Sequence, residues 1–269
     1  MMVRIFIFSI FLTLNTFALS ALEVAKHIVN DSSKDAKLEL LFAKNNYRDE
    51  RGNVDIYTIS QILKTNSLAN FILNEPKTLI FSFKAQADSV LFFKTINDTL
   101  NELGYVYFIP IELTLRENYI AYKLAVDSQY MLDPGIFYKA LLSSSVFIKD
   151  ISKLSELNYE YELDFSKAKL KINTQIPLNT TIQLNKPLRE YVVDLQDAKG
   201  MELSAHNLDS WFCKIQFLDK NLNYIQGVEN THKQNELDIN IPLGAKYAII
   251  GDMFSLDNIK RGLKIYLRR

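Results

Sequence analysis

The sequence is short of the residues on which many metalloproteins and disulfide-stabilised proteins depend. It has one cysteine among 269 residues, so no disulfide can form within the chain. Its only histidines, at positions 27, 206 and 232, have no metal-ligand neighbour at helical spacing, which argues against a zinc site. Basic and acidic residues both number 31, and this balance argues against a surface for nucleic acid.

The motifs that mark common active sites are absent as well. The sequence contains no G-x-S-x-G, G-x-G-x-x-G, P-loop, H-E-x-x-H or C-x-x-C pattern. Asp219-x-Asn221-x-Asn223 imitates the start of a calcium loop, but Tyr224 stands where glycine is needed, and a hairpin turn explains the same residues. We therefore predict no catalytic residue, no metal and no cofactor, and we expect the chain to be non-enzymatic.

The chain has a single extended apolar run, at 5–14, and small residues such as Ala18 and Ser20 follow it. This run is too short to span a bilayer as a helix, and it has the length of the apolar region of a signal peptide. We predict that residues 1–20 are a signal peptide, cut after Ala18 or Ser20. The protein would then be periplasmic, with no transmembrane segment in the mature chain. The alternative is an ordinary buried N-terminal helix.

Residues 55–166 read as a helix followed by two strands, repeated three times. Each helix begins with an aspartate placed to cap the first turn, at Asp55, Asp88 and Asp133. Gly104 stands where a left-handed residue would end the second helix. The predicted strand pairs are 68–73 with 78–84, 105–113 with 119–127, and 146–151 with 158–165. The alternative is that three unrelated segments match by chance.

Several of these strands alternate apolar and polar residues, as Leu79, Phe81 and Phe83 do with their neighbours. That alternation is typical of a sheet with one buried face. We predict an α+β domain with an antiparallel sheet for 55–166. A lead-in segment, 21–54, should precede it and contribute a short helix or strand.

Beyond a polar linker at 167–180 the helical period disappears, and many short strands with turn signals follow. This pattern predicts a β-sandwich, jelly-roll-like, for 181–269. The predicted strands are 180–185, 189–196, 201–206, 211–218, 222–228, 236–241, 246–250 and 262–268. In the fourth strand Cys213 shares a face with Trp211, Ile215 and Phe217, so we expect a buried cysteine rather than a reactive thiol.

Two stretches of this region resemble galactose-binding-like sandwiches. One is 215–225, with an Asp-x-Asn hairpin, and the other is 241–249, with Pro-Leu-Gly-Ala-Lys-Tyr. The resemblance implies the sandwich fold; members of that group often bind sugars through loops at one end, and many bind nothing. The whole chain also resembles uncharacterised periplasmic proteins of low-GC epsilonproteobacteria, which implies a compartment and no activity.

Two polar connections in the sandwich supply the candidate ligand residues. The first holds His206 and Asp209, just before the only tryptophan, Trp211, and the second holds Glu229 and His232. Two such loops at one end of a sandwich would bind a small polar ligand on which an aromatic side chain stacks. The alternative is that both loops are simply solvated.

The sequence therefore predicts an exported, non-enzymatic scaffold or binding protein. Its expected partner is another periplasmic protein or a cell-wall glycan, and not a nucleic acid. Two alternative functions stay open. One is carbohydrate or cell-wall binding through the sandwich loops, and the other is an enzyme of unrecognised class.

Overall fold

A computed structural model describes residues 19–45, 47–172 and 175–269. All but the last two residues of the predicted signal peptide lie outside the described residues. The chain combines helices with several antiparallel sheets. Within the described ranges, every helix is too short or too polar to cross a membrane.

From residue 19 onward, the described N-terminal part holds five α-helices and one five-stranded sheet. Its elements are α1 (Ala21–Val29), α2 (Asp35–Phe42), α3 (Ile56–Thr65), β1 (Ile72–Gln86), α4 (Ser89–Glu102), β2 (Ile109–Arg116), β3 (Tyr119–Tyr130), α5 (Pro134–Leu142), β4 (Phe147–Ser155) and β5 (Asn158–Asp164). The predicted lead-in segment thus contains two helices, and α2 confirms the short element expected there.

The strand order in this sheet is β2-β3-β1-β5-β4. Neighbouring strands are antiparallel except β1 and β5, which are parallel, so the predicted antiparallel sheet was wrong at this pair. The reason lies in α5, which is a crossover connection. It returns the chain so that β4 runs in the same direction as β3, and β5 then runs in the direction of β1.

The predicted helix caps are confirmed. The carboxylate of Asp55 accepts a hydrogen bond from Thr58 N–H at 3.0 Å, and that of Asp88 accepts one from Val90 N–H at 2.9 Å. Asp133 caps α5 in the same way, and Gly104 follows α4 with a φ of +91°. Capping depends on residues a few positions apart, which is why the sequence alone located these helices.

The first predicted helix-strand-strand unit was wrong, because β1 is a single strand. Residues 74–77 were expected to form a turn, but they lie inside β1. The register of β1 against β3 shifts there, between the pairs Ile72/Tyr130 and Lys77/Ser128. An irregularity accommodates Pro76, which has no N–H to give to the ladder. The second and third units, α4-β2-β3 and α5-β4-β5, have the predicted order of elements.

One face of the sheet is covered by helices and forms the N-terminal core. Leu79, Phe81 and Phe83 of β1 are buried against it, as the alternation predicted. The ring of Phe83 lies 5.5 Å from that of Phe137 on α5, so the helix and the sheet share an aromatic contact. The opposite face is polar, and there Lys84 pairs with Glu160 at 2.7 Å.

The C-terminal part consists of eight strands that match the eight predicted segments. They are β6 (Ile182–Gln183), β7 (Tyr191–Asp194), β8 (Gly200–Ala205), β9 (Cys213–Leu218), β10 (Tyr224–Glu229), β11 (Glu236–Asn240), β12 (Tyr247–Asp252) and β13 (Leu263–Arg268). They form two four-stranded antiparallel sheets, β10-β9-β12-β7 and β11-β8-β13-β6. Side chains from both sheets share one core, as in a β-sandwich.

The predicted register of β9 is confirmed. Cys213, Ile215 and Phe217 are buried in this C-terminal core, together with Trp211 just before the strand. Burial raises the pKa of the Cys213 thiol to about 12, which favours the unreactive protonated form.

The two cores are separate in sequence. The N-terminal core ends at Phe165 and the C-terminal core begins at Ile176, so the gap between them falls within the predicted linker, 167–180. Leu170 N–H donates to the hydroxyl of Tyr247 at 3.1 Å, which ties this segment to the sandwich. The boundaries predicted for the two domains stay a prediction.

Candidate functional site

The N-terminal part has a pocket where one end of the sheet meets α3, α4 and α5. Its volume is about 350 Å³, which is within the range of small-molecule sites. The floor is apolar and buried, and it is formed by Phe71, Met131 and Leu132. Its mouth is bordered by apolar side chains that are exposed to solvent; these are Ile72, Tyr130 and Ile136.

The pocket lies beside the last pair that β1 and β3 make at this end of the sheet. The two strands pair again at Ile72 and Tyr130 only after the irregularity at 74–77. Just beyond that pair, Met131 N–H donates to the carbonyl of Phe71 at 2.8 Å. This bond holds the two segments that supply the apolar floor.

Among the described residues, the charged groups that line the pocket are Lys64 and Asp133, which come from different helices. Lys64 lies in the last turn of α3, and its Nζ is 2.5 Å from Oδ2 of Asp133, the N-cap residue of α5. The other carboxylate oxygen, Oδ1, accepts hydrogen bonds from Gly135 N–H at 2.8 Å and from the hydroxyl of Ser60 at 2.7 Å. Oδ1 is therefore fully engaged and Oδ2 accepts from Lys64, whereas the Lys64 ammonium keeps further donors.

A glycine allows the two helices to approach this closely. A Cβ added at Gly135 would lie 2.7 Å from Cβ of Ser60 and 3.1 Å from Cα of Tyr57, both on α3. Any side chain at this position would push α5 away from α3. The glycine thus brings Asp133 within reach of Ser60 and Lys64.

Tyr105 reaches the pocket from the end of α4. Gly104 N–H donates to Asn101 C=O and Tyr105 N–H to Leu100 C=O, and this pair of bonds is a Schellman motif that turns the chain after the helix. The Tyr105 ring stands edge-on to Phe81, and its hydroxyl donates to the Tyr130 carbonyl at 3.3 Å. Burial, with a smaller contribution from Asp133, raises the pKa of Tyr105 to about 12, so it stays a protonated donor.

These groups are arranged for binding. The walls are mostly apolar, Lys64 is the one cation of the lining among the described residues, and its partner Asp133 is also bound by Ser60 and Gly135. Among the described residues, those that line the pocket include no histidine, cysteine or serine. A molecule with an apolar body and one acceptor oxygen matches this surface.

The ligand residues predicted in the sandwich take different positions. Trp211 is 0 % exposed, and its Nε1 donates to the carbonyl of Gly251 at 2.9 Å, so the only tryptophan is a core residue with no face open to a ligand. Asp209 is also buried, and it binds the side chain and the backbone N–H of Arg261. This ion pair fixes the connection before β9.

The remaining predicted residues, His206, Glu229 and His232, are exposed. The loops that carry them lie at the same end of the sandwich, because Gln234 N–H donates to Trp211 C=O at 3.0 Å. The structure thus brings the two loops together, but it leaves Trp211 no accessible face for a ligand, in agreement with the alternation that put this residue on the same face as Cys213. No group of three or more metal-ligating side chains occurs within the described ranges.

The sequence reasoning missed the pocket. Lys64 and Asp133 are 69 residues apart, and nothing in their local patterns sets them apart from a helix-end lysine and an ordinary cap. One signal was present, since Pro134 and Gly135 follow the capping aspartate and a glycine in a first helical turn indicates a close approach.

Comparisons of the chain with protein-family models, with curated proteins and with solved structures give no match. Function must therefore be inferred from the pocket and the surface themselves. The resemblance to galactose-binding-like sandwiches stays a prediction.

Proposed function

We propose that this chain is an exported, non-enzymatic binding protein of the periplasm, and that the pocket beside Lys64 is its ligand site. The ligand class is a small carboxylate with an apolar body, such as a medium-chain fatty acid. The observation that carries the proposal is the combination of a buried apolar floor with a single lysine whose ammonium keeps free donors.

The chemistry favours an anionic head group over a cationic one. The Asp133 carboxylate already accepts from Ser60, Gly135 and Lys64, so it has little capacity left for a ligand donor. Lys64 has three N–H donors, and Asp133 is its only hydrogen-bond acceptor among the described residues. A ligand carboxylate would gain a charge-assisted hydrogen bond there. The apolar chain would then cover Phe71 and Leu132.

The test is titration of the protein with octanoate, monitored by isothermal calorimetry and by two-dimensional NMR. We expect saturable binding, with shifts confined to the residues around the pocket. Octanol should bind more weakly, because it offers no charge to Lys64. The Lys64→Met variant should bind octanoate about 10-fold more weakly, as befits the loss of one charge-assisted hydrogen bond. Its binding of octanol should not change.

The matched control is Lys94→Met. Lys94 lies on α4 and pairs with Asp98 on an exposed surface away from the pocket. This variant should bind octanoate as the unmodified protein does. Binding that is equally weakened in both variants, or shifts that map to the sandwich, would contradict the assignment of the site.

Export is proposed from the apolar run at 5–14, and the start of α1 bears on where the signal would be cut. Ser20 is the N-cap of α1: its side chain accepts a hydrogen bond from Glu23 N–H, and Glu23 reaches back to Ser20 N–H. Cleavage after Ala18 keeps this capping box, whereas cleavage after Ser20 removes it. Fractionation of cells that express the protein should place the mature form in the periplasm.

The second candidate function is recognition of a carbohydrate or cell-wall glycan by the sandwich. It is favoured by a polar depression of about 380 Å³ on the outer face of the β11-β8-β13 sheet. Glu202, Asp238, Lys264 and Tyr266 border this depression, and such side chains can hydrogen-bond and stack on sugar rings. Cosedimentation with purified cell-wall sacculi tests it, and Tyr266→Ala should then reduce the bound fraction.

A further inference from the structure

β2 is an edge strand whose outer side pairs with no other strand in the described part of the chain. It is also unusually apolar for such a position. Leu113 and Leu115 are 49 % and 53 % exposed, and Ile109 and Ile111 are more than half exposed. An exposed apolar edge is a template for strand addition unless it is protected. The opposite edge is protected, since α1 lies against β4 and Asn30 donates to the Lys153 carbonyl at 2.8 Å.

In an antiparallel sheet, the N–H and C=O groups of successive residues point alternately to the two neighbouring strands. This alternation shows which peptide groups of β2 are free. Ala87 N–H donates to Asn118 C=O, so the even-numbered residues of β3 bond to β1 and the odd-numbered ones bond to β2. Thr114 is paired with Ala121 and therefore bonds inward. The peptide groups of Leu113 and Leu115, by alternation, point away from the sheet.

The charges on β2 are arranged so that the strand complements itself. Glu112, Thr114 and Arg116 share the open face of the sheet, and Leu113 and Leu115 share the helical face. Glu112 is held at 2.6 Å from Lys123 of β3, whereas Arg116 is exposed and has no ion-pair partner among the described residues.

We propose that two copies of this chain associate by antiparallel pairing of β2 with β2 of the second copy, about a two-fold axis at Thr114. In this register Leu113 of one copy pairs with Leu115 of the other through their free peptide groups. Glu112 then lies opposite Arg116 of the second copy, and the reverse pair is formed by symmetry. The two five-stranded sheets would become one continuous sheet.

Other symmetric registers also pair the free peptide groups of the two strands, but they do not place Glu112 opposite Arg116. A two-fold axis at Leu113 places Glu112 opposite Thr114, and an axis at Leu115 places Arg116 opposite Thr114. An axis at Glu112 or at Arg116 sets two like charges against each other, which is destabilising. Only the axis at Thr114 puts each carboxylate opposite a guanidinium, with Lys123 on its other side. The charge pattern thus favours β2 of a second copy as the strand that pairs with this edge, and it favours one register of that pairing.

Sedimentation velocity of the full mature chain over a range of concentrations tests this dimer. The paired segment, 112–116, is short, so we expect a dissociation constant of about 1–100 µM, typical of a small interface. Glu112→Arg and Arg116→Glu should each weaken the dimer at least about 10-fold, because each sets like charges opposite one another. The double variant with both changes should dimerise again, since the exchanged charges are still opposite across the axis.

Two further variants separate loss of the interface from loss of the fold. Leu113→Pro removes a free N–H without touching the bonds to β3, and this variant should be monomeric with an unchanged circular dichroism spectrum. Glu156→Arg, in the exposed turn between β4 and β5, should dimerise like the unmodified chain. A protein that stays monomeric at 200 µM (about twice the upper expected constant), or a double variant that fails to recover, would overturn the proposal. Octanoate binding at the pocket is a separate measurement that neither result alters.

Discussion

Asp133 is the residue at which the pocket and the fold can be tested together. Its side chain is 9 % exposed and accepts hydrogen bonds from α5 through Gly135 N–H and from α3 through Ser60 and Lys64. Asp133→Ala would remove a helix cap, leave the buried Ser60 hydroxyl without its acceptor, and leave the Lys64 ammonium without its counter-ion. We expect the free energy of unfolding of the N-terminal part to fall by about 3 kcal/mol.

The comparison that isolates the tertiary contribution is Asp88→Ala. Asp88 caps α4 through Val90 N–H at 2.9 Å, and among the described residues its carboxylate accepts one other hydrogen bond, an exposed one from Asn223 at 3.3 Å. That variant should lose about 1 kcal/mol, the ordinary cost of a lost cap. Asp133→Asn should fall between the two, since an amide oxygen can still cap α5 but cannot neutralise Lys64.

The assay is urea unfolding monitored by two probes, circular dichroism and tryptophan fluorescence. The five α-helices that the structure describes lie in the N-terminal part, so circular dichroism at 222 nm reports on that part, whereas the only tryptophan, Trp211, reports on the C-terminal core. With a denaturant slope of about 2 kcal/mol per molar, Asp133→Ala should lower the helical midpoint by about 1.5 M. The tryptophan midpoint should stay in place if the two cores unfold separately. Equal losses in Asp133→Ala and Asp88→Ala would refute the bridging role of Asp133.

Three further predictions concern other parts of the chain. Cys213, whose pKa is raised by burial, should react slowly with a thiol reagent at pH 8 and rapidly in urea; fast labelling of the folded protein would mean that β9 is out of register. Gly135→Ala should destabilise the N-terminal part by about 2 kcal/mol in the same urea assay, because its Cβ would clash with α3; a variant as stable as the unmodified chain would remove the close-packing argument. The intact mass of the exported protein should correspond to a chain that begins at Leu19; a chain that begins at Ala21 would lack the Ser20 cap, and one that retains Met1 would contradict export.

Much of the secondary structure followed from the sequence, because its signals are local. A capping aspartate acts within three residues, and this located the starts of α3, α4 and α5. Alternation along a strand identified the buried face of β1 and the burial of Cys213. The positions of all eight sandwich strands followed from short alternating segments between turn signals.

Features that join distant parts of the chain were decided by the tertiary structure. The residues at 74–77 have turn-forming character, yet β1 pairs with β3 both before them, at Ile72, and after them, at Lys77, and the strand continues through them. Long-range pairing overrides local preference at these residues. Trp211 was given a ligand role because of the polar connection around it, but its indole donates to the carbonyl of Gly251, 40 residues away, and lies in the core, where the alternation with Cys213 also placed it.

The same distinction explains the pocket and the free edge. Lys64 and Asp133 meet because α3 and α5 pack closely at Gly135, a contact that no local pattern encodes. The order of strands in the sheet, which leaves β2 at the edge, depends on how α5 returns the chain. The sequence of a strand does not show on which side it will lack a neighbour. The sequence by itself located the capped helices α3, α4 and α5, the sandwich strands and the buried faces of β1 and β9, since capping and alternation act over a few residues. Only the folded chain decided which of those elements enclose a pocket and which one is left without a partner, since both depend on contacts between residues far apart in sequence.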